Sequence, residues 1–108
     1  MLRAGLTVGG DTVIQVATNA KCTPFVKEIL NYMTAEELAV RNVVQDLPLH
    51  NAAASGVVEI AKLMVQKNKN LPMFRGFHEF IPFGLAAEFG HKAMAQYLFE
   101  VTKFESLK

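Results

Sequence analysis

The 108-residue sequence predicts an all-α solenoid of about three helix–turn–helix repeats with connecting fingers. Three observations predict it. First, the stretch from Asp46 to Gly56 places Pro48 at a helix start, follows it with a run of alanines, and closes on a glycine. A missing N–H costs nothing at that first helical position, and the alanines keep the helix thin enough for a close neighbour. Second, a new apolar pattern begins at once, with Val57, Ile60, Ala61, Leu63, Met64 and Val65. Third, the cassette recurs in phase. Ala17, Ala52 and Ala86 hold one register position at spacings of 35 and 34 residues. The eighth, twelfth and thirteenth residues after each are apolar: Phe25, Ile29 and Leu30, then Ile60, Met64 and Val65, then Met94, Leu98 and Phe99. A fixed period of this length marks stacked repeats.

The elements follow in chain order. Gly9-Gly10-Asp11 is a turn signal, and Val13 to Ala20 is the first inner helix. Thr23 and Pro24 open its partner as N-cap and first helical residue, and that helix runs to about Tyr32. Thr34-Ala35-Glu36-Glu37 reads as a capping box and predicts one extra helical turn. Arg41 to Asp46 is the first finger, and without a glycine a tight hairpin is not dictated there. Residues 49–55 and 58–67 form the second helix pair, with Lys67 and Lys69 suiting a helix C-terminus. Leu71-Pro72 breaks the helix. Arg75 to Glu79 is the next finger, now with a glycine. Residues 83–89 and 92 to about 103 complete the third pair. The repeats cover about 8–42, 43–76 and 77–108 of a single domain, 1–108. Ala52, Ala53, Ala86 and Ala87 are expected between helices.

Composition excludes several classes. A core this small is hard to fill in a globule, but a solenoid buries its 51% apolar residues through neighbour contacts alone. A net charge of +1 gives no electrostatic footprint for nucleic acid or an anionic membrane. One cysteine, Cys22, cannot form an internal disulfide, which fits a reducing compartment. No apolar run of about 18 residues is present, so this segment is not expected to insert in a membrane. Met1 to Gly10 lacks the apolar core of a signal peptide.

Chemistry-bearing groups are sparse. His50 has no His or Cys partner at ligand spacing. Cys22 sits near a helix N-terminus, where a thiol is activated, but as a small residue it also reads as filler between helices. Glu36, Glu37 and Asp46 make no acid–base pair, since Glu37 belongs to the cap. Gly9-Gly10 lacks the lysine and preceding strand of a phosphate loop. The reading assigns no catalytic residue, no cofactor and no metal. If an enzyme were hidden here, Cys22 and His50 would be its candidates.

Leu47-Pro48-Leu49-His50-Asn51-Ala52-Ala53 resembles the ankyrin repeat, departing from its Thr-Pro-Leu-His-x-Ala pattern at Leu47. The first repeat keeps Thr12 and Ala17, with Ile14 in place of leucine. The third keeps Pro82, Ala86 and Ala87 and has Gly84 where the histidine stands. Gly56 and Gly90 close the second and third inner helices, and Lys21-Cys22 stands in the first repeat where Gly90-His91 stands in the third. Val65 to Pro72 with Gly90-His91-Lys92 is also similar to plant ankyrin proteins whose longer members carry a C-terminal membrane-spanning domain. The resemblance covers about residues 8–102. It implies that His50 bonds backbone across repeats, that His91 is a turn residue, and that binding uses finger tips and the exposed side of inner helices.

By position, those binding residues are Val44, Asp46, Phe77, His78 and Phe80 on the fingers, and Ser55, Glu88 and Phe89 at inner-helix ends. Clustered exposed phenylalanines mark an interaction site; packing of Phe80 and Phe89 on a neighbouring repeat is the open alternative. The expected function is protein binding without chemistry, in intracellular, cytoplasmic signalling or stress response. The alternative is the cytosolic part of a membrane-anchored protein, at the cytoplasmic face of the plasma membrane, whose repeats pack on its own membrane domain. The ends carry apolar residues on several sides: Val13, Ile14 and Val16 at one, and Met94, Tyr97, Leu98, Phe99, Val101 and Phe104 at the other. End repeats need polar outer faces, so further repeats, a following domain or self-association is expected.

Overall fold

The computed structural model describes residues 7–8 and 10–103; Gly9 of the first turn and Phe104 lie outside the described residues. A two-residue hairpin, β1 (Thr7–Val8) and β2 (Asp11–Thr12), pairs antiparallel with Thr7 opposite Thr12. The helices come in consecutive pairs: α1 (Val13–Asn19) with α2 (Thr23–Leu30), α3 (Pro48–Ser55) with α4 (Val58–Lys67), and α5 (Pro82–Glu88) with α6 (Lys92–Val101). Each odd-numbered helix packs on the next odd one, and each even on the next even. The chain is therefore an all-α, two-layer stack of three helix pairs.

Local chemistry sets the boundaries. Thr12 opens α1, with Gln15 accepting from both its N–H and its hydroxyl at 2.9 Å. Pro48 and Pro82 begin α3 and α5, where proline loses no hydrogen bond. Gly56 ends α3 at φ +78°, a left-handed cap that glycine adopts without penalty. At α2 the cap is Cys22, with Thr23 and Pro24 inside the first turn. Cys22 is exposed, so its reading as an inter-helix filler is wrong: it caps the terminal outer helix on the solvent side. Thr34 and Glu37 do form the reciprocal capping box, at 2.9 and 3.1 Å, and the extra turn is a single 3-10 turn at Glu37–Ala39.

The first finger closes without glycine. Asn42 N–H donates to the Asp46 carbonyl at 2.9 Å, and Gln45 takes the left-handed conformation at φ +73°. The Asn42 side chain makes this affordable in geometry, accepting from the N–H groups of Val44 and Asp46 and donating to Asp11. The second finger repeats the plan 34 positions on, with Gly76 N–H donating to Phe80 at 2.8 Å. Arg41 and Arg75 each reach the carbonyl four residues ahead, Gln45 and Glu79.

The core runs between the layers through Ile14, Val26, Ile29, Leu49, Ile60, Met64, Met94 and Leu98. Ala17, Ala52, Ala53 and Ala86 are buried as expected, but Ala87 is exposed. Its counterpart Ala53 lies on α3, which α1 and α5 sandwich. Among the described residues, α5 has only α3 beside it in its layer. The same end effect shows at two outer-layer positions. Phe25 is 50% exposed and Phe99 59%, whereas their counterparts Ile60 and Val65 are buried; the Phe99 ring rests on Phe83 at 5.8 Å. Among the described residues, no helix is long and apolar enough to cross a membrane.

Ala53→Leu should therefore overpack the stack and cost about 1–3 kcal/mol. Ala87→Leu, at the same register position, should change stability by no more than about 0.5 kcal/mol. Urea unfolding of both variants checks the contrast.

Candidate binding groove

The site is built on bonds that cross from one repeat to the next. His50 is 1% exposed. Its Nδ1 accepts the Leu47 N–H at 3.1 Å, which leaves the proton on Nε2, and Nε2–H donates to the Phe80 carbonyl at 3.0 Å. One imidazole thus caps its own helix and holds the following finger. Gln15 does the same 35 positions earlier. Its Oε1 takes the Thr12 N–H, and its Nε2 donates to the Asp46 carbonyl at 3.0 Å and to Asn51 Oδ1 at 2.8 Å. The carbonyls gripped, Asp46 and Phe80, are the same finger position in successive repeats. At the third such position Gly84 has no side chain to bridge with. A Cβ there would meet the Phe80 ring at 3.0 Å.

Gly76 serves this junction by being small. Its φ is −120°, so left-handed freedom is not the reason for it. A Cβ would overlap Asp46 Oδ1 and stand 2.9 Å from His50 Nε2. The strained positions are instead His78 and Glu79, at φ +58° and +65°. Asp46 Oδ1 accepts the Phe77 N–H at 2.8 Å, so the first finger positions the tip of the second. His91 makes a further link: its Nε2–H donates to the Ala54 carbonyl at 2.9 Å, and its ring covers Gly56.

Between the second finger, α3 and α5 lies a groove of about 290 Å³. Of the residues expected to bind a partner, Asp46, Phe77, His78, Phe80, Glu88 and Phe89 line it. Phe77 and Phe89 are 51% and 56% exposed. The Phe77 and His78 rings stand 4.0 Å apart, tilted by 57°. Phe80 is half-buried, and its carbonyl belongs to the His50 bridge. Val44 is exposed but does not line the groove, and the Ser55 hydroxyl is taken by the Ala52 carbonyl at 2.8 Å. Four further lining residues, His50, Asn51, Ala54 and Leu85, were not anticipated as groove residues. Their inner-helix register could have placed Ala54 and Leu85 there.

Both His50 nitrogens are committed to backbone groups, and the Asn51 amide is shared between Gln15 and Asn19. Cys22 does not line the groove. Among the described residues, no group of three or more His, Cys, Asp or Glu is placed to hold a metal ion. Burial lowers the His50 pKa below its ordinary value near 6.5, with Arg41 adding to the effect and Asp46 and the Phe80 carbonyl opposing it.

The depressed pKa fixes a sign. The unfolded chain takes the His50 proton before the folded one does, so stability should be full above about pH 6.5 and fall as pH drops toward the lower folded value. His50→Ala strands the Leu47 N–H and should cost about 1–3 kcal/mol at neutral pH. His50→Gln should retain more of the stability, since Gln15 makes the equivalent bridge, and should flatten the acid-side slope. Urea unfolding at pH 7.5 and 5.5 reads both effects.

The chain matches no protein-family model and no curated protein.

Proposed function

We propose that this chain is a non-catalytic protein-interaction module of the ankyrin-repeat type, with the groove between the second finger and the inner helices as its binding site. The observation that carries the reading is the pair of half-exposed rings, Phe77 and Phe89, on a groove whose frame is otherwise hydrogen-bonded shut. Clustered exposed aromatic surface marks an interaction site, and aromatic anchors carry much of an interface's energy. The repeat type is supported by the 34–35-residue period, the paired helices and the finger-gripping bridges of Gln15 and His50. Intracellular signalling, and a place beside a membrane through a further domain, are what the plant-family resemblance adds.

The test compares the parent chain with Phe77→Ser/Phe89→Ser as bait for cell extracts, with captured proteins identified by mass spectrometry. Phe80 is left intact, because its half-buried ring also supports the junction. Partners retained by the parent should be lost by the double variant, at about 2 kcal/mol or more of binding energy per ring, while the melting temperature moves only a few degrees. A collapsed melting temperature with unchanged capture per folded molecule would make these rings core.

A second reading is favoured by Ala87, exposed where Ala53 is buried: the side of α5 away from α3 receives a second copy of the chain. Sedimentation should show mass rising with concentration in the parent and not in Ala87→Glu. A parent that stays monomeric at high micromolar concentration sinks this reading.

A further inference from the structure

The groove's lining says what kind of side chain fits it. Its charged members are Asp46 and Glu88, both negative, and no lysine or arginine lines it. The two finger arginines are turned to backbone carbonyls, Arg41 to those of Gln45 and Arg75, and Arg75 to that of Glu79. Among the described residues, Glu88 makes no ion pair and no side-chain hydrogen bond. The rings of Phe77, Phe80 and Phe89 share the same small space. Aromatic faces carry negative charge density and attract a cation within about 6 Å. Carboxylates beside them add direct attraction. At about 290 Å³ the groove falls just short of the usual small-molecule pocket and has room for one long side chain. The whole chain carries a net charge of only +1, so this acidic, aromatic character is local to the groove rather than a general surface property.

Resting on the reading of the groove as a protein-binding site, we propose that its occupant is a cationic side chain, lysine or arginine, presented by an extended segment of the partner. The alkyl stem lies along Ala54 and Leu85, and the charged head meets the aromatic rings and the Glu88 carboxylate. The Asp46 carboxylate contributes its field while its Oδ1 keeps the Phe77 N–H, so the finger does not have to move to admit the cation.

The test uses the intact chain on an array of short synthetic peptides of unrelated sequence, with the binders re-measured in solution. Binders should be enriched in lysine and arginine. Replacing the basic residue by citrulline or norleucine, or making Glu88→Gln in the chain, should each weaken binding about three- to tenfold. Added salt should weaken it as well. Glu88 is exposed, so its replacement leaves the fold intact; Asp46 is not altered because it holds the finger. Binding that requires Phe77 and Phe89 but ignores both the uncharged peptides and Glu88→Gln overturns the cation proposal and leaves the groove as a binding site. Binding that survives Phe77→Ser/Phe89→Ser, or an array without a binder, overturns both.

Discussion

A buried side chain that accepts from its own helix start and donates to the next finger is the constraint on which this structure depends. Apolar contact between stacked helix pairs is non-directional, so their register must be set by something more directional. His50 supplies that direction, with one lone pair for the Leu47 N–H and one N–H for the Phe80 carbonyl. Gln15 supplies it with a carboxamide, which also has an acceptor and a donor on opposite sides. The two residues differ in ring, titratability and length, yet they satisfy the equivalent pair of backbone groups. What the position demands is therefore a bifunctional, unbranched reach, not an imidazole.

That demand explains the shape of the fingers. A carbonyl can be gripped only if the finger returns it to the same place each time. Asn42 and Gly76 close equivalent turns, and left-handed residues, Gln45 in one and Glu79 in the other, turn the chain. Such conformations are unfavourable outside glycine and persist where the surroundings over-determine them. Here they are held by the arginine bonds from Arg41 and Arg75 and by the contact of Asp46 with the Phe77 N–H. Gly76 is small for the same reason: finger, histidine and aspartate converge on one point.

Much of this was legible in the residues and some was not. The helix pairs, the proline starts, the Thr34–Glu37 box and the burial of Ala52 and Ala86 followed from spacing, because period and capping are local properties. Six of the eight positions expected to bind a partner do share one groove, since finger and inner-helix end are fixed by register. What failed did so at the ends and in the turns. Ala87 carries the right residue type for burial, but burial needs a neighbour, which a periodic pattern cannot count. The Cys22 cap depended on a single backbone angle, and so did the closure of the glycine-free finger, which the residues had left open. Gln15 was visible at the His50 position, yet a motif search for histidine passes over an amide that does the same work.

The bridges also bear on how the groove can act. A binding surface made of two loops would lose conformational entropy on meeting a partner, and ordering each side chain costs about 0.5–1.5 kcal/mol. Here the finger tip is already tied at Phe77 through Asp46 and at Phe80 through His50. The rings of Phe77 and Phe89 are free to meet a partner while their backbone is not free to wander. Exposed aromatic surface of this kind is a liability for a protein alone. It is tolerable because the hydrogen-bonded frame, rather than those rings, sets the register of the stack. On the proposed reading, stability and recognition fall to different atoms of the same few residues: the backbone of Phe77 and Phe80 belongs to the fold, and the face of Phe77 belongs to the groove.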